Sequence, residues 1–330
     1  MFLFFISGFS LSFWKELYTP CLPCEGVRCT LESMVPTYPA FVPIDISLRS
    51  ELHPHFQRLD TGISEFTFSN IFLFRRTYGY RVSRLEEGLY AIEGSRHGKT
   101  FFALPWGVPA DLSILDRLFA THDYWKNCSL RQTQQYAELL AEKGLEARPD
   151  RDNWDYVYDT KEMAELEGKK FHKKRNHVHA FFAAYPQGFS YRDMGPGEAD
   201  TVDALSVLET WLVGREDQSD YLPSREAIEL RTALELSGRV WFLDGKPIAY
   251  AQGESIRQGK CFVIHFEKGD GAIKGVYQTI FQDWSKTLSQ TFPCVNREQD
   301  LGEPGLRQAK ETYRPVEFIE KYQVWPATNL

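Results

Sequence analysis

Residues 239–288 read RVWFLDGKPIAYAQGESIRQGKCFVIHFEKGDGAIKGVYQTIFQDWSKTL, and the fold is decided there. Val240–Leu243 is apolar and aromatic, and Asp244-Gly245 is the dipeptide of a two-residue hairpin. Ile248–Gln252 makes a second strand, and Ser255–Lys260 a looser polar turn. Cys261–Phe266 is an almost unbroken apolar run, the pattern of a strand covered on both faces. Glycines at 269, 271 and 275 then lead into a helix whose Val276, Ile280, Phe281, Trp284 and Leu288 share one side. A buried strand running through glycines into a helix N-terminus brings free N–H groups and the positive end of the helix dipole together, where an anion can bind.

This strand–strand–strand–glycine–helix order resembles the central unit of GNAT-type acyltransferases. A similar order occurs earlier in the chain: Tyr80–Leu85, Leu89–Gly94 and Thr100–Leu104 as strands, then Pro105-Trp106-Gly107 and a helix over Leu112–Trp125. One repetition with little residue identity points to a duplicated domain. A helix over Arg131–Lys143 and a strand over Asn153–Tyr158 close the first copy. Asp159 and Glu162 form a capping box that opens the second.

The bulk numbers fit this organisation. The 330 residues are 43% hydrophobic and 15% aromatic, enough for two domains with cores. A net charge of −7 excludes a general nucleic-acid coat, so no duplex-DNA partner is expected. No apolar run reaches the ~18 residues of a transmembrane segment. The six cysteines form no disulfide framework in a chain of this size, and Cys21, Cys24 and Cys29 are half a zinc pattern without a second half. No metal site or covalently bound cofactor is expected, and the protein is read as cytoplasmic. Phe2–Trp14 lacks the basic start and cleavage site of a signal peptide. Residues 1–40 are therefore set outside the fold as an extension, with Met34 as an alternative start. Domains are expected at 41–158 and 159–330.

Between the copies lies an unusual helix. Lys169, Lys170, Lys173, Lys174, Arg175, His177 and His179 crowd it, with almost no acid after Glu167. A solvated charged face accounts for most of these residues. The excess of cations in an acidic chain points further, to a phosphate-bearing ligand held by residues such as Lys173 and Arg175.

Three phrases carry a family resemblance: VYDTKEMAELEGKKFHKKRNHVHAFF (157–182), VIHFEKGD (263–270) and VNREQDLGEPGLRQAK (295–310). They resemble an uncharacterised bacterial family related to the C-terminal domain of phosphatidylglycerol lysyltransferase, from about Phe41 to the C-terminus. The resemblance implies an α/β (α+β) fold of two tandem GNAT-like domains, each a mixed, largely antiparallel sheet flanked by helices, as in Fem-type aminoacyl-tRNA-dependent transferases. It implies transfer of an acyl or aminoacyl group to an amine or hydroxyl. The co-substrate would be aminoacyl-tRNA or acyl-CoA. The lysyltransferase strand that ends with an acid and, three residues on, an arginine has His265 and Lys268 here. The phosphate loop of CoA users is not matched by Lys268-Gly269-Asp270-Gly271-Ala272, and a lipid headgroup acceptor would need a membrane-facing region the sequence does not show.

Acyl transfer needs a positioned nucleophile, a base and oxyanion donors. His265 and Glu267 alternate onto one side of the buried strand, and either is a candidate base. Lys268 and Lys310 are the candidate catalytic cations, Lys310 matching the family's Leu-Arg-x-x-Lys phrase with Arg307 one helical turn before it. Asp270, Gly271 and Gly275 are assigned to substrate binding at the helix start, Arg297 and Asp300 to a cleft wall, and Arg307, with Lys310, to the phosphates or terminal ribose of the donor or the charge of the tetrahedral intermediate. The competing reading is a catalytically silent tandem domain that binds a phosphate-bearing ligand or protein partner through Lys169–Arg175.

Overall fold

Ser237–Leu243, Lys246–Ile256 and Cys261–Gly269 pair antiparallel in sequence order. Asp244 and Gly245 turn the first hairpin with φ of 49° and 76°, the two left-handed positions that its twist demands. The helix Val276–Leu288 starts at Gly275, whose φ is 85°. A Cβ there would lie 2.7 Å from the His177 carbonyl oxygen, so this approach admits only glycine. The helix lays Val276, Ile280, Phe281, Trp284 and Leu288 on the sheet, with the Trp284 ring 5.2 Å from Phe262 and 6.1 Å from Trp241. Each such aromatic side chain contributes ~2–3 kcal/mol by burial.

The computed structural model describes residues 33–213 and 219–327. Phe2–Trp14 and Cys21, Cys24 and Cys29 lie outside the described residues. The fold begins before Phe41. Val35 is in the core, and the 36–38 stretch bonds to Arg84 through both of that residue's backbone groups, so residues 34–40 belong to the domain and not to an extension.

Two sheets share one layout. In spatial order the first runs Val42–Pro43, Arg81–Glu86, Leu89–Arg96, Lys99–Ala103, Tyr124–Ser129, Lys321–Pro326, Leu145–Pro149. The second, read from its far edge, runs Phe189–Asp193, Ser237–Leu243, Lys246–Ile256, Cys261–Gly269, Cys294–Asn296, Asp155–Asp159, Glu317–Ile319. In each, the fourth and fifth strands pair parallel and the other pairs are antiparallel. This is the expected pair of mixed sheets flanked by helices.

The sixth position is exchanged. Asp155–Asp159, which the periodicity assigns to the first copy, completes the second sheet, and Lys321–Pro326, the last strand among the described residues, completes the first. A boundary between Tyr158 and Asp159 therefore cuts a strand, and neither half is a contiguous stretch. The exchange is locked by charge. Lys321 bonds Asp155 at 2.7 Å and also pairs with Glu65, all three being buried. Asp155 further accepts from Ser64 N (2.8 Å), Ser64 Oγ (2.9 Å) and Asn296 Nδ2 (3.3 Å).

One further expectation is corrected. The helix at 112–125 stops at Phe119, and Tyr124–Ser129 is a fully buried strand whose Lys126 and Asn127 hide its character.

Candidate functional site

In the second sheet Cys261–Gly269 and Cys294–Asn296 pair only as far as Val263↔Asn296, and then part. The gap opens into a cavity of about 600 Å³ lined by both halves, including Asn70, Tyr78 and Lys126 from the first. The corresponding gap in the first sheet is filled. Leu104, Leu115 and Trp125 are fully buried there, and Gln132 Nε2 donates to the Leu104 carbonyl at 2.8 Å.

At the parting, the register of Cys261–Gly269 slips. Gln252 faces Phe266 and Gly253 faces Ile264, leaving His265 without a partner. This β-bulge breaks the alternation that was to put His265 and Glu267 on one side. His265 turns to two carboxylates, Nδ1 at 2.8 Å from Glu298 and Nε2 at 3.0 Å from Glu254, and its side chain is 1% exposed. Burial opposes its charge, but the two carboxylates outweigh burial and push its pKa up to about 10. An imidazolium with both nitrogens engaged cannot accept a proton from substrate. His265 is not the base; it braces the Glu298 loop against the sheet.

That geometry has a pH consequence. The folded pKa lies above the unfolded value of about 6.5, so the stabilisation is complete below pH ~6.5 and is lost as pH rises through about 10. Lys174 and Lys310, pushed down, contribute in the opposite sense above pH ~8. Urea titrations of the wild type and H265Q isolate the histidine. Their difference in unfolding free energy should shrink by up to ~1.4 kcal/mol per pH unit between pH 7 and 10. A pH-independent difference removes the imidazolium.

Glu267 turns instead toward Arg297, accepting from its Nη2 at 2.7 Å. Burial raises its pKa, with Arg297 and Lys310 pulling the other way. A largely buried carboxylate on a cavity wall with a raised pKa has the property a general base needs. Arg297 is held by rings as well, its guanidinium carbon 4.0 Å from the Phe281 centroid.

Lys310 lines the cavity, but its ammonium donates to the carbonyls of Arg297 (2.6 Å), Glu298 (3.1 Å) and Gln299 (2.5 Å). Burial, then repulsion from Arg297, lowers its pKa to about 8. It clasps the loop that carries Arg297 and Glu298. Lys268 also lines the cavity, paired with Asp220 and 3.8 Å from the Trp211 ring centre.

Other expected site residues lie elsewhere. Asp300 is fully buried and accepts from Tyr156 Oη (2.5 Å), Arg151 (3.1 Å) and Arg307 (2.9 Å to each oxygen). Despite burial, bonds from Arg307 and Tyr156 hold its carboxyl well below the usual range. Asp300 and Arg307 thus tie the Pro304–Glu311 helix to the 151–156 segment and do not face the cavity. Lys173 is exposed, and Arg175 donates to the Leu166 and Gly168 carbonyls. Asp270, Gly271 and Gly275 are off the lining as well; the helix touches the cavity through Tyr277 and Gln278. The Asp270 carboxylate accepts the Ala272 N–H at 2.9 Å, so the turn meant for an anion carries one of its own.

The sequence reading left Lys174 in the solvated cationic cluster. It lies 8% exposed on the cavity wall, its ammonium 3.8 Å from the Tyr313 ring centre. The signal was present: Phe171, Lys174, Val178 and Phe181 recur at helical spacing and are the buried face. Burial, then Arg297, lowers its pKa to about 8.

Residues 56–325 match the family described as phosphatidylglycerol lysyltransferase, C-terminal. The chain belongs to that family. A crystal structure of a conserved protein of unknown function from Bacteroides thetaiotaomicron superposes with a TM-score of 0.77 at 25% identity, over 86% of this chain and 98% of that one. The C-terminal domain of a putative lysylphosphatidylglycerol synthetase from Agrobacterium fabrum has the same fold, with a TM-score of 0.58 at 15% identity over 86% and 92%. An uncharacterised protein of Mycoplasmoides gallisepticum is 25% identical over 175 residues, and that match spans about half of each chain, 52% of this one and 55% of the relative. No helix among the described residues is long and apolar enough to cross a membrane, and no cluster of His, Cys, Asp and Glu among them could hold a metal ion.

Proposed function

We propose that the protein is an aminoacyl transferase that moves an aminoacyl group from charged tRNA to an amine or hydroxyl acceptor in the cavity. The observation that carries this reading is Glu267, a largely buried carboxylate beyond the parting of two parallel strands, in contact with Arg297. In the step, the acceptor nitrogen or oxygen attacks the ester carbonyl and gives its proton to Glu267. The Arg297 guanidinium faces the charge that builds on the carbonyl oxygen, which is where such donors act most strongly. The ester C–O bond then breaks, and the ribose hydroxyl leaves with the proton that Glu267 returns.

Two features support tRNA over acyl-CoA as donor. The glycine turn carries the Asp270 carboxylate where a pyrophosphate would need bare N–H groups. The helix His172–Ala184, which presents Lys174 to the cavity, leaves Lys173, His177 and His179 exposed on its outside, suited to a polyanion. This donor makes the protein cytoplasmic. The engagement of both His265 and Lys310 in the scaffold favours, as a second reading, a domain that binds such a polyanion without catalysis.

The donor is tested by thermal shift and by mass spectrometry of acceptor mixtures, with charged tRNAs and CoA thioesters in parallel. Charged tRNA should stabilise the protein and yield an aminoacylated product, while the thioesters do neither. Product from a thioester reassigns the donor. Stabilisation by tRNA with no product from any donor leaves the binding reading.

A further inference from the structure

Two cations lean on the same tyrosine in the cavity wall. Lys174 Nζ lies 3.8 Å from the centre of the Tyr313 ring, and Arg297 Cζ lies 5.4 Å from it. An aromatic face attracts a cation but does not neutralise it. Arg297 has the Glu267 carboxylate. Lys174 has no hydrogen bond or ion pair to any described residue, although it is 8% exposed. The other acids of this wall are taken: Glu298 is bound to His265, Asp220 to Lys268 and Glu65 to Lys321, while Lys310 is bound to three carbonyls.

The Lys174 charge is therefore left without a counter-charge, resting on a ring in the cavity wall. In a partly dehydrated cavity an unneutralised charge is costly, and its field is strong. The lowering of the Lys174 and Lys310 pKa values by Arg297 is the same repulsion seen from the proton's side. An anion placed between Lys174 and Arg297 relieves it.

We propose that Lys174 and Arg297 form a subsite for a monoanionic oxygen group of the acceptor, a carboxylate or a phosphodiester. An anion there supplies the counter-charge that Lys174 lacks, and Arg297 keeps the group beside Glu267, where the acceptor must lie. Assigning the anion to the acceptor rests on the transferase reading; the anion site itself does not.

The test is equilibrium binding to the full chain, read by thermal shift, with dimethyl phosphate and N-acetylglycine as probes. At least one should raise the melting temperature saturably. K174M should weaken it about tenfold or more, while K174R, which restores the charge, stays near wild type. E267Q should bind the same probe more tightly, because it removes the competing carboxylate, even as transfer is lost. Binding of dimethyl phosphate alone assigns a phosphodiester, and of N-acetylglycine alone a carboxylate. No saturable shift with either probe, or K174M binding as tightly as wild type, overturns the subsite. Anion binding without transfer from any donor leaves the subsite standing and removes only its assignment to the acceptor.

Discussion

E267Q lowers kcat for acyl transfer by about 10²–10⁴-fold, the range that a positioned general base supplies. The substitution is nearly isosteric, and the glutamine oxygen still accepts from Arg297 in place of the 2.7 Å contact, so the melting temperature and circular dichroism should stay close to wild type. What disappears is the proton acceptor. In wild type the rate should also fall as pH drops, since burial raises the pKa of Glu267 and the carboxylate protonates sooner than an exposed one. E267Q should lack that acid limb in its residual rate. Activity within threefold of wild type, measured as product per enzyme under saturating acceptor, would remove Glu267 from the chemistry and return the cavity to a binding role.

K321M has the largest expected effect on stability. Lys321 is fully buried and sits between Glu65 and Asp155, also buried, so its loss leaves two acids without the cation bonded to both. Breaking one side of a buried ionic cluster costs about 3–5 kcal/mol. For a protein of this size that lowers the melting temperature on the order of 10 °C. Urea denaturation of K321M against the triple variant K321M/E65Q/D155N separates stranded charge from lost packing. The triple variant should recover part of the deficit, because its amides no longer carry the charge. A loss below about 1 kcal/mol in K321M, or no recovery in the triple variant, contradicts the assignment.

The sequence was most readable where structure is local. The 239–288 meander and its helix follow from alternation, the Asp-Gly turn and one apolar helical face, and the observed elements extend the expected ones by a few residues at their ends. Duplication was visible for the same reason. The partners of Asp155–Asp159 and Lys321–Pro326 were not, because strand pairing is set by contacts far apart in the chain and a strand's own residues do not name its neighbour. The site shows the same division. Glu267, Lys268, Arg297 and Lys310 do converge on one cavity. The role of His265 was misread because a bulge is one extra residue in an otherwise ordinary run, and nothing in CFVIHF marks it. Asp300 and Arg307 misled for another reason: a buried, bonded pair and a ligand-binding pair have the same composition.

The exchanged strands constrain the order in which the chain can be assembled. A ribosome releases the first sheet's other strands early, but the strand that fills its sixth place comes from residues 321–326, long after Leu145–Pro149. Until then Tyr124–Ser129 and Leu145–Pro149 have a vacant slot between them, and an unpaired strand edge invites aggregation during synthesis. A nonsense change between the second meander and residue 321 would therefore damage the earlier half of the protein as well as the later one.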